Sequence, residues 1–182
     1  MKATGIVRRI DDLGRVVIPK EIRRTMRIRE GDPLEIFTDT EGEVILKKYS
    51  PIGELGDFAK EYAESIQQAT SHIACISDKD VIIALSGLGK KGFIGKKISK
   101  ELEEIILSKK ISNLEKEKTI ALVEGQEKEE DFTAQVICPI VSQGDAIGSV
   151  VLLSKDGQVK MDDGEMKIAE TAAKFLGKQM EE

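Results

Sequence analysis

Hydrophobic positions change rhythm several times along this chain, and each change marks a predicted element. Two short segments dense in β-branched residues, Thr4 to Ile10 and Arg15 to Ile18, flank Asp11-Asp12-Leu13-Gly14, a turn composition with a glycine free to take positive φ. From Pro19 the spacing becomes helical: proline suits the first helical position, Glu21 complements the positive helix start, and Ile22 and Met26 stand four apart. Pro33 to Thr38 and Glu43 to Lys48 then flank Asp39-Thr40-Glu41-Gly42 as a hairpin. The opening unit therefore reads ββαββ.

After Ser50-Pro51-Ile52-Gly53, which reads as a linker, the period lengthens. Leu55, Phe58, Ala59, Tyr62, Ala63 and Ile66 place an amphipathic helix over Glu54 to Thr70. Strands follow at His72 to Ser77 and Val81 to Ser86 around Asp78-Lys79-Asp80, then a helix from Ser99 to Lys109. Further strands are predicted at Thr119 to Val123, Thr133 to Val141 and Ala146 to Ser154, the last two joined by Ser142-Gln143-Gly144-Asp145. A closing helix carries Met166, Ala169, Ala173, Leu176 and Met180 on one stripe behind an Asp162/Glu165 capping pair. The fold class expected is α+β, with domains at residues 1–50 and 51–182.

Composition narrows the class. The 182 residues are 40% apolar and 34% charged, and no apolar run approaches the roughly 20 residues of a membrane helix. No membrane is expected, and the first nine residues lack a signal-peptide stretch, so the expectation is a cytoplasmic protein. Cys75 and Cys138 stand far apart with no CxxC pair, which points to buried free thiols rather than a disulfide or zinc site.

Charge changes the picture more. Residues 1–29 hold nine lysines and arginines against three acids, a net +6, so the remainder carries −11 of the overall −5. All seven arginines precede residue 30, and later positive charge is lysine. Arginine's planar fork suits phosphates and guanine edges, whereas lysine suits a solvated surface. On the predicted helix Lys20, Arg23, Arg24 and Arg27 fall at i, i+3, i+4 and i+7, one basic stripe whose natural partner is a polyanion. A unit this small, without metal or disulfide, cannot bury enough apolar surface alone, so dimerisation is expected.

Thr4-Gly5-Ile6-Val7-Arg8-Arg9, Leu13-Gly14-Arg15-Val16-Val17-Ile18-Pro19, Glu21-Ile22-Arg23-Arg24 and Leu34-Glu35-Ile36-Phe37 together closely resemble the AbrB-type swapped-hairpin regulators. The resemblance implies an interleaved dimer that holds double-stranded DNA through Arg8, Arg15, Arg23 and Arg24. With Arg9 and Lys20 from the same basic region, these form the expected DNA-binding set. Relatives often carry glycine where this chain has Arg27, and a left-handed cap there would cost roughly 1 kcal/mol. Gly92-Phe93-Ile94-Gly95-Lys96-Lys97-Ile98-Ser99, Cys138-Pro139-Ile140-Val141 and Gly148-Ser149-Val150-Val151 resemble GAF domains. The two-part arrangement resembles regulators of spore formation, which implies a transcription regulator assembled as a tetramer through its C-terminal domains, with an unidentified small-molecule ligand as an option for the GAF-like part. Activator and repressor readings both stay open.

Other sites fit poorly. Gly87-Leu88-Gly89-Lys90-Lys91-Gly92 matches GxGxxG, but an acid about 20 positions on would fall in a predicted helix instead of at a strand end. Gly95-Lys96 lacks the Walker Ser/Thr, and His72, the sole histidine, reads as a helix end. Glu127 to Asp131 and the lysines between Lys96 and Lys118 read as solvated surface. No cofactor, metal or catalytic residue is expected. The alternatives are an antitoxin-like module that meets an acidic protein and, less favoured, a thiol-dependent GAF-type reductase.

Overall fold

Two five-residue strands around a glycine-containing turn make the first sheet. In the computed structural model, which describes residues 5–54, 56–88, 92–126 and 132–181, strands β1 (Leu34–Thr38) and β2 (Val44–Lys48) pair antiparallel with Phe37 opposite Ile45. Asp39 accepts from the Glu41 and Glu43 amides at 3.0 and 2.8 Å, and Gly42 supplies the left-handed φ of 84°. Helix α1 (Lys20–Thr25) precedes this hairpin. Among the described residues, 5–18 form no strand, contrary to the expected pair at Thr4 to Ile10 and Arg15 to Ile18. Their backbone pairs with no strand among the described residues, and Val7 and Val17 are 90% and 70% exposed.

The chain divides into two compact units, Met1–Tyr49 and Ser50–Glu182. In the second, Ser50 to Gly53 is not a loose linker. Pro51–Glu54 forms a turn of helix, α2, whose Ile52 is wholly buried, and Ser50 Oγ donates to Asp78 Oδ2 at 2.8 Å. Helix α3 (Gly56–Thr70) follows; Leu55, predicted on its apolar stripe, lies outside the described residues.

Strands β3 (Ile73–Asp78), β4 (Ile82–Ser86), β5 (Ser112–Glu115), β6 (Ala134–Ser142) and β7 (Asp145–Ser154) form one antiparallel sheet in the order β4-β3-β7-β6-β5. Both faces are covered, which explains why the central strands read as unbroken apolar runs. Ala74, Ile76, Val136, Cys138, Val150 and Leu152 join α3 and α5 (Asp163–Gln179) on one face. Cys75, Ile137, Val151 and Leu153, one residue out of step, meet α4 (Lys100–Ser108) on the other. Gln143 and Gly144, at φ 50° and 87°, make the two-residue turn between β6 and β7. Asp162 and Glu165 close a capping box on α5, and Ser99 caps α4.

The strand expected at Thr119 to Val123 is absent, and β5 stands at the sheet edge instead. The cause is a side chain. Wholly buried Gln135 accepts from the Ile120 amide at 2.9 Å and donates to its carbonyl at 2.7 Å, taking the place of a ladder. The next carbonyls, Ala121 and Leu122, accept from Ser99 Oγ and the Ser99 amide. The segment is thus consumed in capping α4 while Leu122 and Val123 sink into the core.

Candidate nucleic-acid interface

The basic residues of the first unit are displayed by two local devices. The first is the turn at Asp11. Its carboxylate accepts from the Leu13 and Arg15 amides at 3.0 and 2.7 Å and from Arg15 Nε at 2.8 Å. The Arg15 amide, and then its guanidinium, hold the Asp11 carboxyl below the usual carboxylate range. Arg15 is steered but not consumed: its side chain is 69% exposed, and the ion pair engages Nε while the outer nitrogens remain for an acceptor. Arg8 and Arg9 lie exposed in the irregular segment before this turn.

The second device is α1. Pro19 is its N-cap, at ψ 147°, rather than the first helical residue, because the proline ring fixes φ while its ψ stays extended. Lys20, Arg23 and Arg24 share one exposed face at i, i+3 and i+4. Ile22 is half-buried opposite, but its expected partner Met26 is 48% exposed. Arg27 leaves the basic stripe. The helix ends at Thr25, Arg27 takes φ 52°, and a Schellman pair closes the end: the Arg27 amide donates to Arg24 O at 3.3 Å and the Ile28 amide to Arg23 O at 2.7 Å. Arg27 is the left-handed residue of this motif, so it is half-buried and turned from the helical register.

Two residues that the sequence pattern does not associate complete this end. Lys48 Nζ donates to the Arg27 carbonyl at 3.0 Å and stands 4.0 Å from Asp32 Oδ2, which also accepts from the Arg29 amide at 2.8 Å. The one signal for them is that Lys48 falls on the same face of its strand as Val44 and Leu46. The structure places Lys20, Arg23 and Arg24 on one helix, Arg15 at the end of one turn, and Arg8 and Arg9 on a segment without regular secondary structure.

The second unit offers less chemistry. Cys75 and Cys138 are buried on opposite faces of the sheet, which keeps them from joining, and burial pushes their thiols up to about 12 and about 11. A thiolate nucleophile needs the reverse shift. Because ordinary thiols near 9.0 ionise first in the unfolded chain, stability from these sites is full below about pH 9 and declines as pH rises toward the folded values. Chemical denaturation is expected to show a steeper loss of stability above pH 9 in the natural chain than in a Cys75→Ala, Cys138→Ala variant; parallel curves would contradict this. His72 follows the end of α3 and its Nε2 lies 3.5 Å from Glu165 Oε1. A cavity of about 450 Å³ at the sheet edge is lined by Lys116, Thr119, Ile120, Phe132, Thr133 and Gly157. Residues 89–91 of the GxGxxG match at Gly87 to Gly92, and the whole acidic run at 127–131, lie outside the described residues. Among the described residues no group of three His, Cys, Asp or Glu could hold a metal, and no helix is long and apolar enough to cross a membrane.

The family model described as stage V sporulation protein T C-terminal, transcription factor, matches residues 54–181. One described as antidote-toxin recognition MazE, bacterial antitoxin, matches residues 7–54. The stage V sporulation protein T of Bacillus subtilis (strain 168) is 58% identical over 183 aligned residues, covering all of both chains. The transition state regulatory protein AbrB of the same strain is 65% identical over 51 residues, 28% of this chain and 52% of its own length. Among solved structures, the GAF domain of an Acinetobacter phosphoenolpyruvate-protein phosphotransferase superposes with a TM-score of 0.58 at 16% identity, over 74% of this chain and 84% of its own, which shows a GAF fold.

Proposed function

We propose that this chain, which belongs to the stage V sporulation protein T family of transcription factors, is a DNA-binding regulator of sporulation that acts by binding rather than by catalysis. Its DNA contacts are Arg8, Arg9, Arg15, Lys20, Arg23 and Arg24, all exposed in a unit whose relative is a transition state regulator. The observation that carries the reading is the concentration of every arginine before residue 30, in a chain that shares a 51-residue stretch at 65% identity with that regulator. Phosphate contacts release counterions, so log K for duplex DNA is expected to fall linearly with log salt, by about 0.9 per contact. Titration of the full-length chain with duplex across salt concentrations tests this, and binding indifferent to salt would refute it.

The MazE-type match over residues 7–54 favours a second reading, in which the same basic face grips an acidic protein. The full-length similarity to a sporulation transcription factor weighs against it.

The exposed Val7, Ile10, Val17, Ile36 and Val44 of the first unit support dimerisation there, since so small a unit buries little apolar surface by itself. In the second unit Phe58 and Tyr62 of α3 stack on one another and both meet Phe175 of α5 at a tilt, with 5.5 to 6.2 Å between ring centroids and Phe58 and Phe175 38% and 41% exposed. This aromatic cluster suits a contact between second units that joins two dimers into a tetramer. Sedimentation is expected to show the full chain as a tetramer and a Phe58→Ser, Phe175→Ser variant as a dimer; a tetramer in both would place the contact elsewhere. The cavity at the sheet edge is where a small regulatory ligand would enter the GAF fold, and it would change DNA affinity only by preferring one arrangement of the dimers.

A further inference from the structure

We propose that Lys48, on β2, is a positioning residue for the DNA-contacting helix: it holds the end of α1 in place and thereby sets where Arg23 and Arg24 point. The inference rests on the DNA-binding reading above.

Helix α1 has six residues, none of them buried. Isolated helices shorter than about 12 residues are marginal in water, because nucleation costs more than a single turn returns. Its persistence therefore depends on what holds its ends. At the start stands Pro19, buried, with its ring fixing φ. At the other end the chain must pass through the left-handed region at Arg27, a conformation glycine takes freely and arginine does not.

Lys48 acts on this strained point. It donates to the carbonyl of Arg27 itself at 3.0 Å, from 21 positions away in sequence. Its side chain is 19% exposed and its ammonium lies 4.0 Å from the carboxylate of Asp32, whose side chain is 6% exposed and which receives the Arg29 amide. A cation at a helix C-terminus also meets the negative end of the backbone dipole. The carbonyls closed by the same cap belong to Arg23 and Arg24. Releasing Lys48 would loosen the very turn that displays those two side chains. Though basic, Lys48 is turned inward to the protein and contributes to DNA binding through geometry, not through a phosphate of its own.

A double-mutant cycle separates these roles. Lys48→Met and Arg23→Ala/Arg24→Ala are made in the full-length chain, singly and combined, and titrated with a duplex enriched by the natural chain from a random pool. Lys48→Met is expected to weaken that binding about tenfold, and to add nothing in the Arg23→Ala/Arg24→Ala background. Lys48→Arg is expected to restore most of the loss. Amide exchange at Arg27 and Ile28 is expected to accelerate in Lys48→Met while Phe37 and Ile45 of the hairpin keep their protection, which also establishes that the variant is folded. An equal loss in both backgrounds, with the slope reduced by about one, would make Lys48 a phosphate contact and overturn the proposal. So would unchanged affinity, or a hairpin that loses its protection together with the cap. Normal binding by Arg23→Ala/Arg24→Ala would instead overturn the DNA-contact assignment, and the proposal with it.

Discussion

Replacing Arg23 and Arg24 together by alanine is expected to weaken binding to a cognate duplex by about 2 to 6 kcal/mol, the sum of two contacts each worth roughly 1 to 3 kcal/mol. Stability should hardly move. Both side chains are exposed, α1 buries nothing, and alanine is the best helix former, so the change in unfolding free energy is expected to stay within about 0.5 kcal/mol. The salt slope distinguishes what each arginine touches: a phosphate contact lowers it by about one, whereas a base contact costs affinity at particular sequences with little change in slope. Arg15→Ala should behave differently from either, because it also removes a partner of Asp11 and loosens the turn that carries it. The measurement is titration over a salt series alongside thermal unfolding. If the double variant bound duplex like the natural chain, the interface would have to be sought on another face.

Gly148→Ala should be among the most destabilising single methyl additions in the second unit. Gly148 sits in β7, the central strand, opposite Asp78 of β3 and Ile140 of β6. The pairing with β6 shifts register next to it, between Ile140 and Val141, while the pairing with β3 runs in regular register up to Asp78. A Cβ built there would stand 2.1 Å from the Ser77 carbonyl oxygen and 2.9 Å from Ile52 Cδ1. The carbonyl is backbone of a paired strand and cannot swing aside as a side-chain tip does. The expected cost is about 3 kcal/mol or more, a drop in midpoint of roughly 6 to 12 °C for a chain of this size. Gly157→Ala is the control, since its Cβ would meet nothing within 4 Å, and it should stay within about 0.5 kcal/mol. Equal melting of the two variants would mean that the β3 to β7 spacing is softer than the packing indicates.

The contrast between these two positions bears on how much was legible beforehand. Arg23 and Arg24 could be chosen from spacing alone, because the charge and reach of an exposed side chain depend mostly on residue type and helical period. The β1 to β2 hairpin, the capping box on α5 and the Gln143-Gly144 turn were legible for the same reason: each is decided by residues within a few positions of one another. Arg27 shows where that reasoning stops. Its place on the basic stripe followed from the helical period, but the helix ended two residues earlier, and a carbonyl held by distant Lys48 now occupies that end. The strand expected at Thr119 to Val123 failed similarly. Its composition suits a ladder, but Gln135, wholly buried on β6, takes up the hydrogen bonds of Ile120.

What the sequence by itself determined, then, is the kind of protein: an arginine-rich start with a basic helix and a hairpin that offers a surface for a polyanion, followed by a sheet flanked by helices. Residue type and period decide those features, because charge, turn chemistry and alternation are local. Only the tertiary structure decided that Ser50 to Gly53 is docked through Ile52 and Asp78, that the two cysteines face opposite layers, and that Asp32 and Lys48 meet at the end of α1. Each of those is a contact between residues far apart in the chain, and burial of a polar or apolar group there depends on which distant segment arrives to cover it.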